Sequence, residues 1–87
     1  MFRTHIKLRN GYTVSVQANK FVYCYPREDN AEAYKSVEAW FYQKDGTPLS
    51  DEPHAYLPAW HLMAMIAEYG GIDEGELPPL DLLGGKE

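Results

Sequence analysis

The chain predicts an α+β domain: an antiparallel sheet of about four strands with one C-terminal helix packed on a face, followed by a flexible acidic tail. Three observations carry that prediction. Apolar and polar residues alternate with a period of two through much of the first half, an Asn-Gly dipeptide separates the first two alternating runs, and one later segment changes to helical spacing.

Phe2, Thr4, Ile6 and Leu8 alternate with Arg3, His5, Lys7 and Arg9, the pattern of a half-buried strand. Asn10-Gly11 supplies the positive φ angles of a type I′ turn, after which Tyr12, Val14, Val16 and Ala18 alternate with Thr13, Ser15 and Gln17 to complete a hairpin. Residues 21–25 (FVYCY) read as a third strand with aromatics on one face, stopped by Pro26, which has no amide proton for a ladder. Residues 27–33 are a polar loop. From Tyr34 the alternation resumes as a fourth strand, with Val37, Ala39 and Phe41 on one side and Ser36, Glu38, Trp40 and Tyr42 on the other, ending at Asp45-Gly46-Thr47-Pro48.

Residues 49–56 read as a turn-rich connection. Pro58 fits the first helical position, where a missing amide proton is tolerated, and the helix runs to about Tyr69. Trp60, Met63, Ala64 and Ala67 form one stripe and Leu62, Met65, Ile66 and Tyr69 the next, so a broad apolar face should lie on the sheet. Gly70-Gly71 ends it with a left-handed cap, and Ile72 folds back on the last turn. Residues 1–72 thus make one domain, and residues 73–87, acidic and rich in Pro and Gly, make a tail expected to be mobile.

Eighty-seven residues suffice for one core, burying about 60–65 % of the unfolded surface, so the stability margin is thin. A hydrophobic share of 45 % and an aromatic share of 14 % are enough to build that core and argue against disorder. Seven of the aromatics are tyrosines, which pack through the ring and keep a polar tip for recognition. The single Cys24 allows no intramolecular disulfide, and the first residues contain no signal-like apolar run, which points to a reducing cytosol. No apolar stretch reaches the length of a transmembrane helix.

The net charge of −5 is unevenly spread. Arg3, Lys7, Arg9, Lys20 and Arg27 meet no acid within positions 1–27, whereas the remaining residues hold all thirteen acids and three lysines, about +5 against −10. Such asymmetry either steers a partner or matches strands internally.

No constellation announces catalysis. His5, His54, His61 and Cys24 are the candidate soft metal ligands, but their spacing fits no zinc pattern, and Cys24 sits where a small buried hydrophobe is expected. Asp45, Asp51, Glu52 and Glu68 lack the context of a working carboxylate pair, and no glycine-rich phosphate loop opens a helix, so neither cofactor nor metal is expected. The basic hairpin with Tyr12, Phe21, Tyr23 and Tyr25 has the ingredients of a single-strand nucleic-acid site, but the pI of about 5.1 opposes it and makes direct nucleic-acid binding a weak alternative. In the tail, Pro79-Leu80-Asp81-Leu82-Leu83 is similar to the pentapeptides that dock on bacterial sliding clamps, without their leading Gln and terminal Phe; with a motif this short, packing on its own domain is the preferred reading.

Asn10-Gly11-Tyr12 with Ser15-Val16, then Tyr25-Pro26-Arg27-Glu28, Val37-Glu38-Ala39 and Gly46-Thr47-Pro48-Leu49 give residues 6–72 a layout that resembles small bacteriophage and prophage accessory proteins. The resemblance implies a non-catalytic module in the bacterial cytoplasm that binds one host protein and inhibits or redirects it, in the manner of anti-CRISPR and other anti-defence proteins. An acidic surface suits a basic nuclease groove by charge complementarity. The residues expected to make contact are Glu28, Asp29, Glu32, Asp51 and Glu52, or exposed aromatics such as Tyr34, Trp40 and Tyr42. The alternatives are a small-ligand or nucleotide-sequestering protein, with a pocket at a homo-oligomer interface, and the weak single-strand binder.

Overall fold

The computed structural model describes residues 2–82. Strands β1 (Phe2–Leu8) and β2 (Thr13–Ala18) form the expected hairpin, with Ile6 opposite Val14. The turn differs in type. Gly11 has a φ of +94° and Asn10 does not share it; the Gly11 N–H donates to the Leu8 carbonyl at 3.0 Å. This is a three-residue connection with glycine at the left-handed position. The Asn10 side-chain oxygen holds it by accepting the Tyr12 N–H at 2.9 Å.

β3 (Ser36–Tyr42) pairs with β2, β4 (His54–Pro58) with β3, and β5 (Ile72–Glu74) with β1, giving a five-stranded antiparallel sheet of order β4-β3-β2-β1-β5. The helix α1 (Ala59–Glu68) crosses one face. Alternation decides which face: Ile6, Val14, Val16, Val37, Ala39 and Phe41 are buried in one cluster with Leu62 and Ile66 of the helix. Each large side chain so buried stabilises the fold by about 1.5–3 kcal/mol. The helix stops as its glycines dictate. Gly70 and Gly71 both have positive φ, Gly71 N–H donates to Ile66 O at 2.9 Å and Gly70 N–H to Ala67 O at 3.1 Å, a Schellman pair. Tyr69, at the cap, packs its ring against Tyr12 and Phe41 and so fastens the helix end to the hairpin.

The other face of the sheet carries the polar alternates. Gln17, Glu38, Trp40 and Tyr42 are half-buried there, and His5 and Lys7 are exposed. Lys7 reaches Glu74 across β5 at 3.6 Å, so part of the charge asymmetry is an internal match between strands.

Four expectations are corrected. Residues 21–25 form no strand: β2 pairs directly with β3, and the segment meets the sheet only at the Tyr25–Ser36 bridge and through the Tyr56 N–H donating to Tyr23 O. Instead the Asn19 side chain accepts the Phe21 N–H at 2.8 Å and turns the chain, and only Tyr25 makes a bridge, to Ser36. Within residues 49–56, the stretch from His54 is edge strand β4; its ladder slips between Val37 and Ala39, and Tyr56 takes a φ of +51°. Pro58 ends that strand and caps the helix from outside, which begins at Ala59. The helical face is narrower than expected, because Trp60, Ala64 and Ala67 are exposed.

The tail is attached through residue 81 rather than mobile from residue 73. β5 joins the sheet, Pro78 is buried, and Leu77 and Leu80 pack on the core. Tyr34 N–H donates to Pro79 O at 2.8 Å and Asp81 N–H to Tyr34 O at 2.9 Å. Leu80 is therefore engaged by its own domain, while Leu83 of the clamp-like pentapeptide lies outside the described residues.

The chain has a radius of gyration of 12.0 Å. No described helix is long and apolar enough to cross a membrane.

Candidate functional site

The segment between β2 and β3 keeps the alternation that suggested a strand, but uses it to sort side chains in a loop. Cys24 points inward and is buried, with Val22 half-buried, while Phe21, Tyr23 and Tyr25 point outward at 68 %, 50 % and 57 % exposure. Backbone bonds at two points hold the loop in place: first Tyr25, which exchanges N–H and carbonyl bonds with Ser36 of β3 at 3.2 Å, and second a bond from the Tyr56 N–H of β4 to Tyr23 O at 2.9 Å. The second bond brings in Tyr56, itself 51 % exposed, with its ring 5.7 Å from that of Tyr23. Each ring of the loop also carries a cation: Lys20 over Phe21 at 5.2 Å, Arg27 over Tyr23 at 5.1 Å and Lys35 over Tyr25 at 5.6 Å. Such contacts are worth about 0.5–1 kcal/mol at exposed sites and limit ring motion.

Where this loop meets the open sheet face there is a groove of about 370 Å³, lined by Tyr23, Glu38, Glu52, Pro53 and Ala55. Its far wall belongs to the connection between β3 and β4, which is tied to the sheet by the Trp40 indole N–H donating to Ser50 O at 3.0 Å and braced within itself by the Ser50 hydroxyl donating to Glu52 O at 2.7 Å. A second, more open cleft of about 520 Å³ lies between the two hairpin turns, lined by Asn10, Tyr12, Gln43, Lys44 and Asp45. The Asp45 carboxylate accepts both the hydroxyl and the N–H of Thr47, which holds its pKa below the usual carboxylate value.

No family model, curated protein or solved structure matches the chain. Its function is therefore argued from the residues themselves.

The residues singled out in the sequence divide into three groups. Glu52 joins the groove, Asp51 is exposed beside it, and Trp40 and Tyr42 stand together on the open face, half-buried, with rings 5.5 Å apart. Glu28 and Glu32 are exposed on the loop that follows Tyr25, and the Asp29 carboxylate accepts the Lys20 N–H at 3.2 Å, bracing the aromatic loop from behind. Tyr34 is corrected outright. It is 0 % exposed, its hydroxyl donating to Glu28 O at 2.7 Å and accepting the Ala31 N–H at 3.3 Å, so it organises the acidic loop from within and is not a contact residue.

Tyr56, the ring neighbour of Tyr23, and Glu38 of the groove escaped the sequence reading. Tyr56 lay in a stretch taken for a connection, and Glu38 looked like an ordinary solvent-facing strand residue; the usable signal was the outward alternation of Phe21, Tyr23 and Tyr25. The candidate metal ligands do not converge. His61 stacks on Trp60, His54 sits against Phe41, His5 is exposed on the other face, and no cluster able to hold a metal occurs among the described residues. Cys24 donates its thiol to Asn19 O at 3.2 Å, and burial raises its pKa.

Proposed function

We propose that this chain is a non-catalytic protein-binding module that meets its partner through the surface formed by Phe21, Tyr23, Tyr25 and Tyr56. The observation that carries the proposal is the exposure of four aromatic residues, half or more of each, three on a loop whose backbone is bonded to two strands and the fourth, Tyr56, on one of those strands. Aromatic side chains and arginine dominate the energetics of protein interfaces, and an apolar surface held rigid loses little entropy on binding. Exposed acids follow Tyr25 in the chain at Glu28 and Glu32 and precede β4 at Asp51 and Glu52, the last lining the groove with Tyr23, and such charges set orientation and association rate. The layout of residues 6–72, in its resemblance to small phage accessory proteins, favours a bacterial host factor as the target, with a CRISPR or other defence nuclease complex first among them.

A second reading has its own support. Cations over three exposed rings also suit single-stranded nucleic acid. The net charge of −5 and the acids on the same loop weigh against it.

The test is affinity capture from bacterial lysate, with and without nuclease, by the tagged chain and by its Tyr23→Ala/Tyr56→Ala variant. A stoichiometric protein that survives nuclease and is lost by the variant is the expected result. Recovery of nucleic acid alone, or of an oligomer retaining a small molecule, would overturn the proposal in favour of the alternatives.

A further inference from the structure

We infer that the groove beside Tyr23 takes an arginine side chain of the partner protein, with its guanidinium held at the carboxylates of Glu38 and Glu52. The inference rests on the protein-binding reading and specifies what that partner must present.

A groove of about 370 Å³ is at the small end of the about 300–1,000 Å³ typical of ligand pockets, room for one long side chain and not for a folded element. Its lining has two characters. Tyr23, Pro53 and Ala55 offer apolar surface, and Glu38 and Glu52 supply negative charge. Neither glutamate forms an ion pair or side-chain hydrogen bond with the described residues; the neighbouring hydrogen bond to Glu52 uses its backbone oxygen. The complement of such a groove is a long apolar stem ending in a cation. Arginine fits better than lysine because its flat, weakly hydrated guanidinium stacks on a ring and gives two parallel hydrogen bonds to a carboxylate.

The chain already displays half of this interaction. Arg27 lies 5.1 Å over the Tyr23 ring, so the ring accepts a guanidinium on its face, and Arg27 is not among the residues lining the groove. Its charge opposes an incoming cation. Removing it should therefore strengthen binding, a sign that a general loss of structure would not produce.

The experiment uses the full ¹⁵N-labelled chain, titrated with N-acetyl-arginine amide and, as a neutral isostere, N-acetyl-citrulline amide. Arginine should shift the amide signals of Tyr23, Glu38, Glu52 and Ala55, and citrulline should not. Glu38→Gln/Glu52→Gln should weaken binding about tenfold, the effect of losing two exposed charge contacts. Arg27→Ala should tighten it. Unchanged melting of both variants checks the fold. Equal shifts with citrulline, or arginine binding unaffected by the double glutamine variant, would overturn the inference. If lysate capture still depends on Tyr23 and Tyr56 but is indifferent to the glutamines, the protein-binding proposal survives and the arginine site does not. Shifts produced by a single-stranded oligonucleotide at Phe21, Tyr23 and Tyr25, with none from arginine, would overturn both.

Discussion

Tyr34 shows how much a single buried polar atom organises. Its ring is part of the core, and its hydroxyl spans the loop by donating to Glu28 O and accepting from Ala31 N–H. Tyr34→Phe keeps the ring and leaves that carbonyl and amide without their partner, which costs about 1–2 kcal/mol. For a domain of this size each kcal/mol moves the midpoint by about 4–8 °C, so circular dichroism should show a clear drop in Tm. An unchanged Tm would mean that water satisfies both groups and that the loop is not set by Tyr34. Cys24 makes a different prediction. Burial raises its pKa, so the thiol stays protonated in the native chain and alkylation should be much slower than in urea. The sign of the linkage follows. A folded-state pKa above the unfolded one means that the contribution is fully present below the unfolded value and is lost as pH rises from there through the folded value. Tyr69, raised by burial and then by the Glu68 charge, acts in the same direction. Chemical denaturation midpoints should therefore fall on the alkaline side of the ordinary thiol range, and a flat profile there would refute the linkage.

At the scale of elements, the C-terminal strap carries the clearest prediction. Residues 77–81 bury Pro78, seat Leu77 and Leu80 on the core, and exchange two backbone hydrogen bonds with Tyr34. A chain ending at Glu76 loses about 2–4 kcal/mol of burial, a large part of the stability of a small domain. Its thermal midpoint should fall by more than 10 °C, on the order of what that energy implies, and a truncated chain that melts like the full one would show that the strap is dispensable. The same elements show what the sequence could reveal. The hairpin and the helix were legible because a period of two, a period of 3.6 and paired glycines are local signals. The strap was legible only in part: leucines in the tail called for a groove, and packing on their own domain was the preferred reading, but the residue they dock on, Tyr34, is far away in sequence. β4 was hidden by Pro53 and Pro58 at its borders and by the left-handed Tyr56 within it, features that resemble a turn until an edge of β3 is there to pair with. Residues 21–25 failed in the opposite sense. They carry a strand pattern, yet the Asn19 side chain turns the chain at Phe21 and only isolated contacts with β3 and β4 form, so tertiary context overrides local preference. The candidate site straddles these two misread segments, and its acidic rim was legible while its aromatic centre was only half so.

Across the whole molecule, the charge asymmetry of the sequence is partly absorbed. Lys7 pairs with Glu74, and Lys20, Arg27 and Lys35 lie over aromatic rings, leaving the carboxylates around the groove as the outward signal of a chain with net charge −5. Long-range attraction of this kind acts on encounter before contact is made and is screened over about 10 Å at 0.1 M salt. Two consequences separate steering from packing. Reversing exposed acids, as in Glu28→Lys/Glu52→Lys, should slow association with the captured partner several-fold, on the order expected for rim charges, and change the dissociation rate less. Tyr23→Ala, by contrast, removes buried interface area and should act mainly through faster dissociation. Glu28 and Glu52 are exposed, so charge reversal should leave the unfolding free energy within about 0.5 kcal/mol of the parent chain, while Tyr23→Ala gives up the Arg27 contact, about 0.5–1 kcal/mol. Stopped-flow or surface-plasmon measurements over a salt series distinguish the two effects: the parent association rate should fall as salt rises, and the charge-reversed chain should be slower at low salt and converge with it at high salt. Parallel rates for both chains at every ionic strength would place the partner's contact away from the acidic rim and leave the aromatic loop to act alone.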